Sequence, residues 1–387
     1  MKLRIIKSTR KILSIALAAY FTIAVFPANS QAISAQAYAL VDQNSGRLIT
    51  GSNENMCLPM ASTTKIMTGL IACESGKLDE SFTVPAEAIR VEGSSMGLVA
   101  GEKLTLREIV YGLMLESGND AANTIAVLLA GSNDKFAALM NNRAIQLGLA
   151  DTHFSNPSGL YNVSHYTSAS NLARLAAFAM KNKNFAQIVG TKSIRIHYNG
   201  LPNGRLLRNH NDLLSIYDGA IGVKTGFVKK SGRCLVTCAK RNGVCIVAVT
   251  LNDPNDWKDH EELLDSGFCI LKSYKLLDVS PTITANVAGG VSDKVETSYD
   301  KDAAGDLKQG EQERLKMHVE MEKFYYAPIK KGQLLGKMVF TVDDVEVAET
   351  DITAAADVQK LQKKQNTTGF FKNLWNGITS FFSGIFH

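Results

Sequence analysis

The chain has 387 residues, of which 45% are apolar and 20% charged, with a formal net charge of +5 and six cysteines. That is length and apolar content for two or three packed domains, which excludes a disordered or low-complexity protein. The positive balance does not imply a nucleic-acid partner: Lys2, Arg4, Lys7, Arg10 and Lys11 all lie ahead of residue 33 with no acid among them, and removing that segment leaves a neutral chain.

Those five cations precede an apolar run at residues 12–26, then Pro27 and small residues ending in Ser30-Gln31-Ala32. The layout is that of a secretory signal peptide over residues 1–32. The alternative, an uncleaved membrane anchor, suffers from the shortness of the apolar run. Residues 33–275 read as one mixed α/β domain. Strands are expected at 38–42 and 47–50 around a turn at 43–46, and helices at 62–74, 106–115, 121–129, 134–147 and 168–181. A strand at 222–228 then leads through 229–232 into a hairpin, 233–239 and 244–251, with a closing helix at 263–274. Early and late strands around a helical middle can share one sheet.

From residue 276 to 356 the pattern changes to alternating strands, at 282–287, 316–320, 338–342 and 345–349, which predicts a small all-β sandwich domain with a spacing or docking role. A polar linker at 357–368 follows. Residues 369–387 place Phe370, Phe371, Leu374, Trp375, Ile378, Phe381, Phe382, Ile385 and Phe386 at helical spacing on one face, with Lys372, Asn373, Asn376, Thr379, Ser380 and Ser383 on the other. This is an amphipathic helix, too short in apolar run to span a bilayer, and expected to lie in a membrane interface.

The cysteines are Cys57, Cys73, Cys234, Cys238, Cys245 and Cys269. Export permits disulfides, but the spacings fit neither a zinc site nor a dense disulfide scaffold. Cys238 and Cys245 could face each other across the hairpin in one register, and are offset if Asn242-Gly243 forms the tight turn. Buried free thiols are the expected state. Nothing in the chain calls for a metal ion or a cofactor.

Three strings carry chemistry: Ser62-Thr63-Thr64-Lys65, Ser117-Gly118-Asn119 and Lys224-Thr225-Gly226. In this order they form the S-x-x-K, S-x-N and K-T-G set of serine acyl-transfer enzymes. A serine hydroxyl needs a base, and Lys65, one helical turn beyond Ser62, shares its face. A helix beginning near Ser62, behind Pro59, would also aim backbone N–H groups at a developing oxyanion. For Lys65 to be the base its pKa must fall, through burial or a neighbouring cation such as Lys224. Ser117 could relay the proton to the leaving amine, while Asn119 could bond both Lys65 and a substrate amide. Lys224 and Thr225 suit a substrate ending in a free carboxylate, and Gly226 lets its backbone approach closely.

Each string has a bland counterpart. Ser8/Lys11, Ser132/Lys135 and Ser298/Lys301 also fit S-x-x-K by coincidence, and Lys230-Ser231-Gly232 is a second K-S-G that reads as a turn. Ser, Gly and Asn are ordinary helix-cap residues. Only the set that starts at Ser62 has all three strings in order.

At these residues the chain resembles the D-alanyl-D-alanine carboxypeptidases, the low-molecular-mass penicillin-binding proteins. The likeness runs through residues 36–274 and includes the segments 61–68, 116–122 and Asn156-Pro157-Ser158-Gly159-Leu160. It implies a transpeptidase/β-lactamase-like domain with a central antiparallel sheet, followed by the β domain and the amphipathic tail. It also implies Ser62 as the acylated serine, Lys65 as base, Ser117 and Asn119 as the second motif, and Lys224, Thr225 and Gly226 as the substrate strand. The backbone N–H groups of Ser62 and Phe227 would form the oxyanion hole. The implied activity is removal of the terminal D-alanine from peptidoglycan pentapeptide stems, with β-lactams as inhibitors, at the outer face of the cytoplasmic membrane.

Two departures stand out. Asp256 occupies the place of an arginine that helps some relatives hold the substrate carboxylate, leaving that task to Lys224 and Thr225 alone or with His260. Asn171 stands where relatives often carry Asp, and either can cap the helix that follows. The competing functions are a β-lactamase, whose usual single domain leaves residues 276–387 unexplained, and a catalytically idle peptidoglycan-binding protein.

Overall fold

The computed structural model describes residues 32–198, 201–277, 281–362 and residue 375. The expected leader and amphipathic tail lie outside the described residues, save for Ala32 and Trp375. The chain divides into two compact units, residues 1–241 with 245–269, and residues 242–244 with 270–387.

The first unit is built on a five-stranded sheet in the order Leu48–Ser52, Ala37–Asp42, Val244–Leu251, Gly232–Arg241, Ala220–Val228. The first strand of the chain pairs antiparallel with the last of the hairpin, Ala39 opposite Val249 and Val41 opposite Val247. Every residue of Val244–Leu251 is buried, which is why the strand reads as a continuous apolar run rather than an alternating one: both faces are covered. One face belongs to the core shared with the helices and includes Ala39, Val41, Val236, Val247 and Val249. Leu40 and Ile246 point to the other, where helix Asp256–Ile270 lies so close that a Cβ on Gly267 would come within 2.7 Å of both side chains.

The helical middle starts at their boundaries for identifiable reasons. Thr105 and Glu108 form a capping box on Leu106–Leu115. Ser132 caps Asn133–Gln146, and Ser168 caps Ala169–Lys181. Asn171 is therefore not the cap; its backbone N–H donates to the Ser168 hydroxyl. Helix Lys65–Glu74 is buried along all but its last residue, and Gly69 permits this: a Cβ there would meet Met114 and Phe185 at 3.2 Å.

Several expectations are corrected. The closing helix starts earlier, at Asp256, and stops at Ile270; Leu271–Lys275 is instead a strand paired with Ala304–Lys308 in the second unit. The domain boundary accordingly falls at 270, not 276. The linker also begins later than 357. Val358 is buried and exchanges backbone hydrogen bonds of 2.9 Å with Ile329, while the Leu361 N–H donates to the Gly289 carbonyl.

The second unit is a β structure in which Leu315–Met321, Leu334–Val342, Val345–Ala354, Lys294–Ser298, Thr284–Ala288 and Tyr325–Tyr326 form one six-stranded sheet. Lys294–Ser298 and Ala304–Lys308 were not expected, because the first is short with a polar outer face and the second carries only one large apolar residue, Leu307, beside a buried Asp306. The described cysteines are all free, as expected; Cys73, Cys234, Cys238 and Cys245 are buried, whereas Cys57 and Cys269 are exposed. Cys238 and Cys245 do meet, with their sulfurs 3.6 Å apart.

Phe185 is fully buried against the helix that carries Lys65. Phe185→Ala is expected to cost about 3–5 kcal/mol, read as a lower urea midpoint with an unchanged slope.

Candidate active site

Ser62 and Lys65 meet through a tight turn. Ala61–Thr64 is a 3-10 turn, and the α-helix begins only at Lys65, which corrects the expected helix start at Ser62. The tighter winding eclipses positions i and i+3, so Lys65 Nζ sits 3.1 Å from Ser62 Oγ. Ala61 holds a left-handed φ of 48°, and the turn is clamped from outside by residues 156–159. Gly159 approaches so closely that a Cβ would lie 1.9 Å from the Ala61 carbonyl oxygen. Behind the turn, Ser155 N–H donates to His165 Nδ1, which leaves Nε2 as the donor to Thr64 Oγ1 at 2.7 Å. Burial pushes His165 down to about 4, so the ring is a neutral strut.

Lys65 is fully buried, and its ammonium donates to Ser62 Oγ, to Asn119 Oδ1 at 2.7 Å and to the Ser158 carbonyl at 2.6 Å. Three acceptors match three N–H bonds. Its pKa is held well below the usual lysine range, first by burial and then by the Lys224 charge, with Asp120 opposing. Once neutral, the amine can keep Asn119 and Ser158 as acceptors and turn its lone pair toward the serine hydroxyl.

The second string lies between helices Leu106–Leu115 and Asn119–Ala130. Ser117 takes a left-handed φ of 57° and lines the cavity. Asn119 reaches Lys65 through its carbonyl oxygen and donates one amide hydrogen to the Glu92 carbonyl at 2.6 Å, which leaves its second amide hydrogen for the expected bond to a substrate amide. Asp120 gathers the backbone N–H groups of Met96, Gly97 and Leu98 and the Ser95 hydroxyl, which fixes the loop that borders the site.

The third string runs along Ala220–Val228, the edge strand of the sheet. An edge leaves alternate backbone N–H and C=O groups free for an extended peptide. Gly226 lets the strand press on the serine turn: a Cβ would lie 3.0 Å from the Ser62 nitrogen and 3.1 Å from that of Thr63. Lys224 is 2% exposed, and burial pushes its amine down to about 7. Lys230-Ser231-Gly232 is a turn, where Ser231 Oγ bonds the Val228 and Gly232 carbonyls.

Between these pieces opens a cavity of about 460 Å³ that Ser62, Ser117, Thr225, Gly226 and Phe227 all line. Its far wall holds residues that the motifs did not name. Arg233 enters from the strand opposite Phe227, donates to Asp256 Oδ1 at 2.9 Å and lies over the Trp257 ring at 5.8 Å. Asp256 thus holds an arginine of the neighbouring strand. The Arg233-Cys234 position follows the K-T-G string by a turn, a signal that could have been found by asking what the hairpin carries back along Phe227. His260 is excluded from carboxylate binding: it is fully buried, bonded to Thr250 Oγ1 at 3.0 Å and pushed down to about 3.

Residues 24–255 match the family model described as D-alanyl-D-alanine carboxypeptidase, and residues 273–360 match the penicillin-binding protein 5 C-terminal domain. The chain is similar to the D-alanyl-D-alanine carboxypeptidase DacF of Bacillus subtilis, 31% identical over 336 residues that cover 84% of this chain and 86% of the relative. It is 29% identical to DacA of Escherichia coli, with 84% of each chain covered. Among solved structures, penicillin-binding protein 5 of Haemophilus influenzae superposes with a TM-score of 0.62 at 28% identity, covering 86% of this chain and 100% of that one. The Streptomyces K15 DD-transpeptidase gives 0.59 at 30%, covering 62% and 100%. With more than half its length matched by the family model, the chain belongs to the D-alanyl-D-alanine carboxypeptidase family.

Proposed function

We propose that the protein is a serine-type D-alanyl-D-alanine carboxypeptidase that trims the terminal D-alanine from peptidoglycan stem peptides through an acyl-enzyme on Ser62. The observation that carries the reading is the buried Lys65 amine 3.1 Å from Ser62 Oγ, with Lys224 lowering its pKa. Neutral Lys65 takes the serine proton as Oγ adds to the carbonyl carbon between the two D-alanines. The backbone N–H groups of Ser62 and Phe227 receive the oxyanion. Ser117 passes the proton to the leaving amine, the C–N bond breaks, and D-alanine departs. Water then hydrolyses the ester. A β-lactam follows the first half and stalls.

The free carboxylate of the substrate faces three groups in this reading: Lys224 and Thr225 on the edge strand, and Arg233 across the cavity. Arg233 is pre-aimed by Asp256 and Trp257, so little ordering is needed when the carboxylate arrives. Export through residues 1–32 and docking of residues 369–387 on the outer face of the cytoplasmic membrane would bring the site to its polymer.

Incubating the processed chain, residues 33–387, with a pentapeptide ending in D-alanyl-D-alanine should release D-alanine, and labelled penicillin should form a long-lived adduct on Ser62. Rapid penicillin turnover would indicate a β-lactamase; no adduct on folded protein would indicate an idle binder.

The free-enzyme kcat/KM should rise with pH as Lys65 loses its proton and fall again near pH 7 as Lys224 loses its own. Lys224→Met should remove the alkaline limb and lower kcat/KM. Because the folded pKa of Lys224 lies below that of an exposed lysine, the unfolded chain binds more protons between about pH 7 and 10, and the charge penalises the fold below that window. Lys224→Met should therefore keep or raise the melting temperature at pH 6.

Arg233→Gln should lower kcat/KM for the carboxylate-ended peptide by about 10- to 100-fold, the worth of a charge-assisted hydrogen bond. The same peptide ending in a carboxamide should be little affected, so the acid-over-amide preference is the quantity to measure.

A further inference from the structure

Two buried carboxylates lie at the start of helix Asp256–Ile270, outside the catalytic cavity. Asp253 is 0% and Asp259 4% exposed. Both bind the hydroxyl of Ser34, at 2.8 and 2.7 Å, and the Ser34 backbone N–H donates to Asp259 Oδ2. Asp253 Oδ1 also accepts from the Asn255 N–H, but its other oxygen, fully buried, has no partner among the described residues. Burial, with Asp259 adding to it, pushes Asp253 up to about 6.

The charged neighbours do not relieve this pair. Asp256 is taken by Arg233, and His260, bonded to Thr250, is held neutral. Among the described residues no lysine or arginine forms an ion pair with Asp253 or Asp259. Buried carboxylates without a cation are expensive, and the neutral donors here, the Ser34 hydroxyl and amide, the Asn255 amide and the Thr250 side chain at Asp253, do not neutralise them.

We propose that the Asp253–Asp259 pair is the receptor for the α-ammonium of Ile33, created when the leader is removed after Ala32. Hydrolysis of the Ala32–Ile33 bond leaves a carboxylate on Ala32 and an ammonium on Ile33. That ammonium belongs to the residue next to Ser34, whose Cα is about 3.8 Å from that of Ile33, and Ser34 is already bound to both aspartates. Before processing the same nitrogen is a neutral amide. The consequence reaches the cavity, because Asp253 and Asp259 bracket Asp256 and Trp257, which aim Arg233. Processing thus locks the segment that positions the carboxylate-binding arginine.

The inference rests on the leader reading, and its test separates the two. The chain from Ile33 to His387 is prepared with a free amine and with Ile33 acetylated. Competitive labelling should place the α-amino pKa at least one unit above its ordinary value of about 8, a tenfold loss of reactive amine at pH 8, and Asp253→Asn or Asp259→Asn should return it. The free-amine chain should melt higher than the acetylated one below about pH 8, the gap closing as pH rises through the raised pKa. An ordinary α-amino pKa with identical melting overturns the proposal, and means that the aspartates share a proton instead. Should either Asn variant fail to fold, the acetylated and free chains still decide. N-terminal sequencing of the exported protein that begins anywhere but Ile33 also overturns it, while D-alanine release continues to report on the carboxypeptidase reading.

Discussion

In the proposed reaction the Lys65 amine must be neutral at physiological pH, which an amine exposed to water is not, and the packing around it buries it beside Lys224. Burial costs free energy whichever protonation state the amine takes, since the charged form loses solvation and the neutral form needs its hydrogen-bond partners. The fold meets this with three fixed acceptors around Nζ and with a helix, Lys65–Glu74, that is buried nearly end to end. Such a helix gains its stability from tertiary packing, not from an amphipathic face. The packing that hides the base also holds its geometry.

Placing a second amine, Lys224, in the same crevice is destabilising for the fold and useful for the reaction. Its charge lowers the proton affinity of Lys65, and its own lowered pKa reports the same desolvation. The edge strand that carries it presses on the serine turn through Gly226, so the strand of Lys224 and the turn of Ser62 are one mechanical unit. Strained backbone gathers at the same place, in the positive φ values of Ala61 and Ser117. Each is held by neighbours that over-determine it, Gly159 at the first and the Asp120-anchored loop beside the second.

The far wall of the cavity is also assembled from distant segments. Arg233 arrives from the strand paired with the K-T-G strand, and Asp256, at the start of the last helix, holds it. In the proposed reaction this wall supplies a cation for the substrate carboxylate. Electrostatics requires a cation near the carboxylate, not a particular position in the chain.

The sequence by itself determined the sheet strands and the longer helices of the catalytic unit, the order of the three strings and the chemistry they spell, because local periodicity and i, i+3 spacing are properties of neighbouring residues; the hairpin Ser193–Tyr198 with Leu201–Arg208 and the helix Lys183–Val189 were not legible. It also determined that a β unit follows. It did not reveal the 3-10 turn at Ser62, the strand at Leu271–Lys275, the late end of the second unit at Leu361 or the roles of Arg233, Ser158 and His165. Those depend on contacts between distant segments: Gly159 against Ala61, the Ser158 carbonyl on Lys65, Phe227 opposite Arg233. His260 looked available because a histidine carries no label of its depth, and only packing buried it. Pairing partners and burial are set by which surfaces the whole chain brings together, and tertiary structure alone decides that.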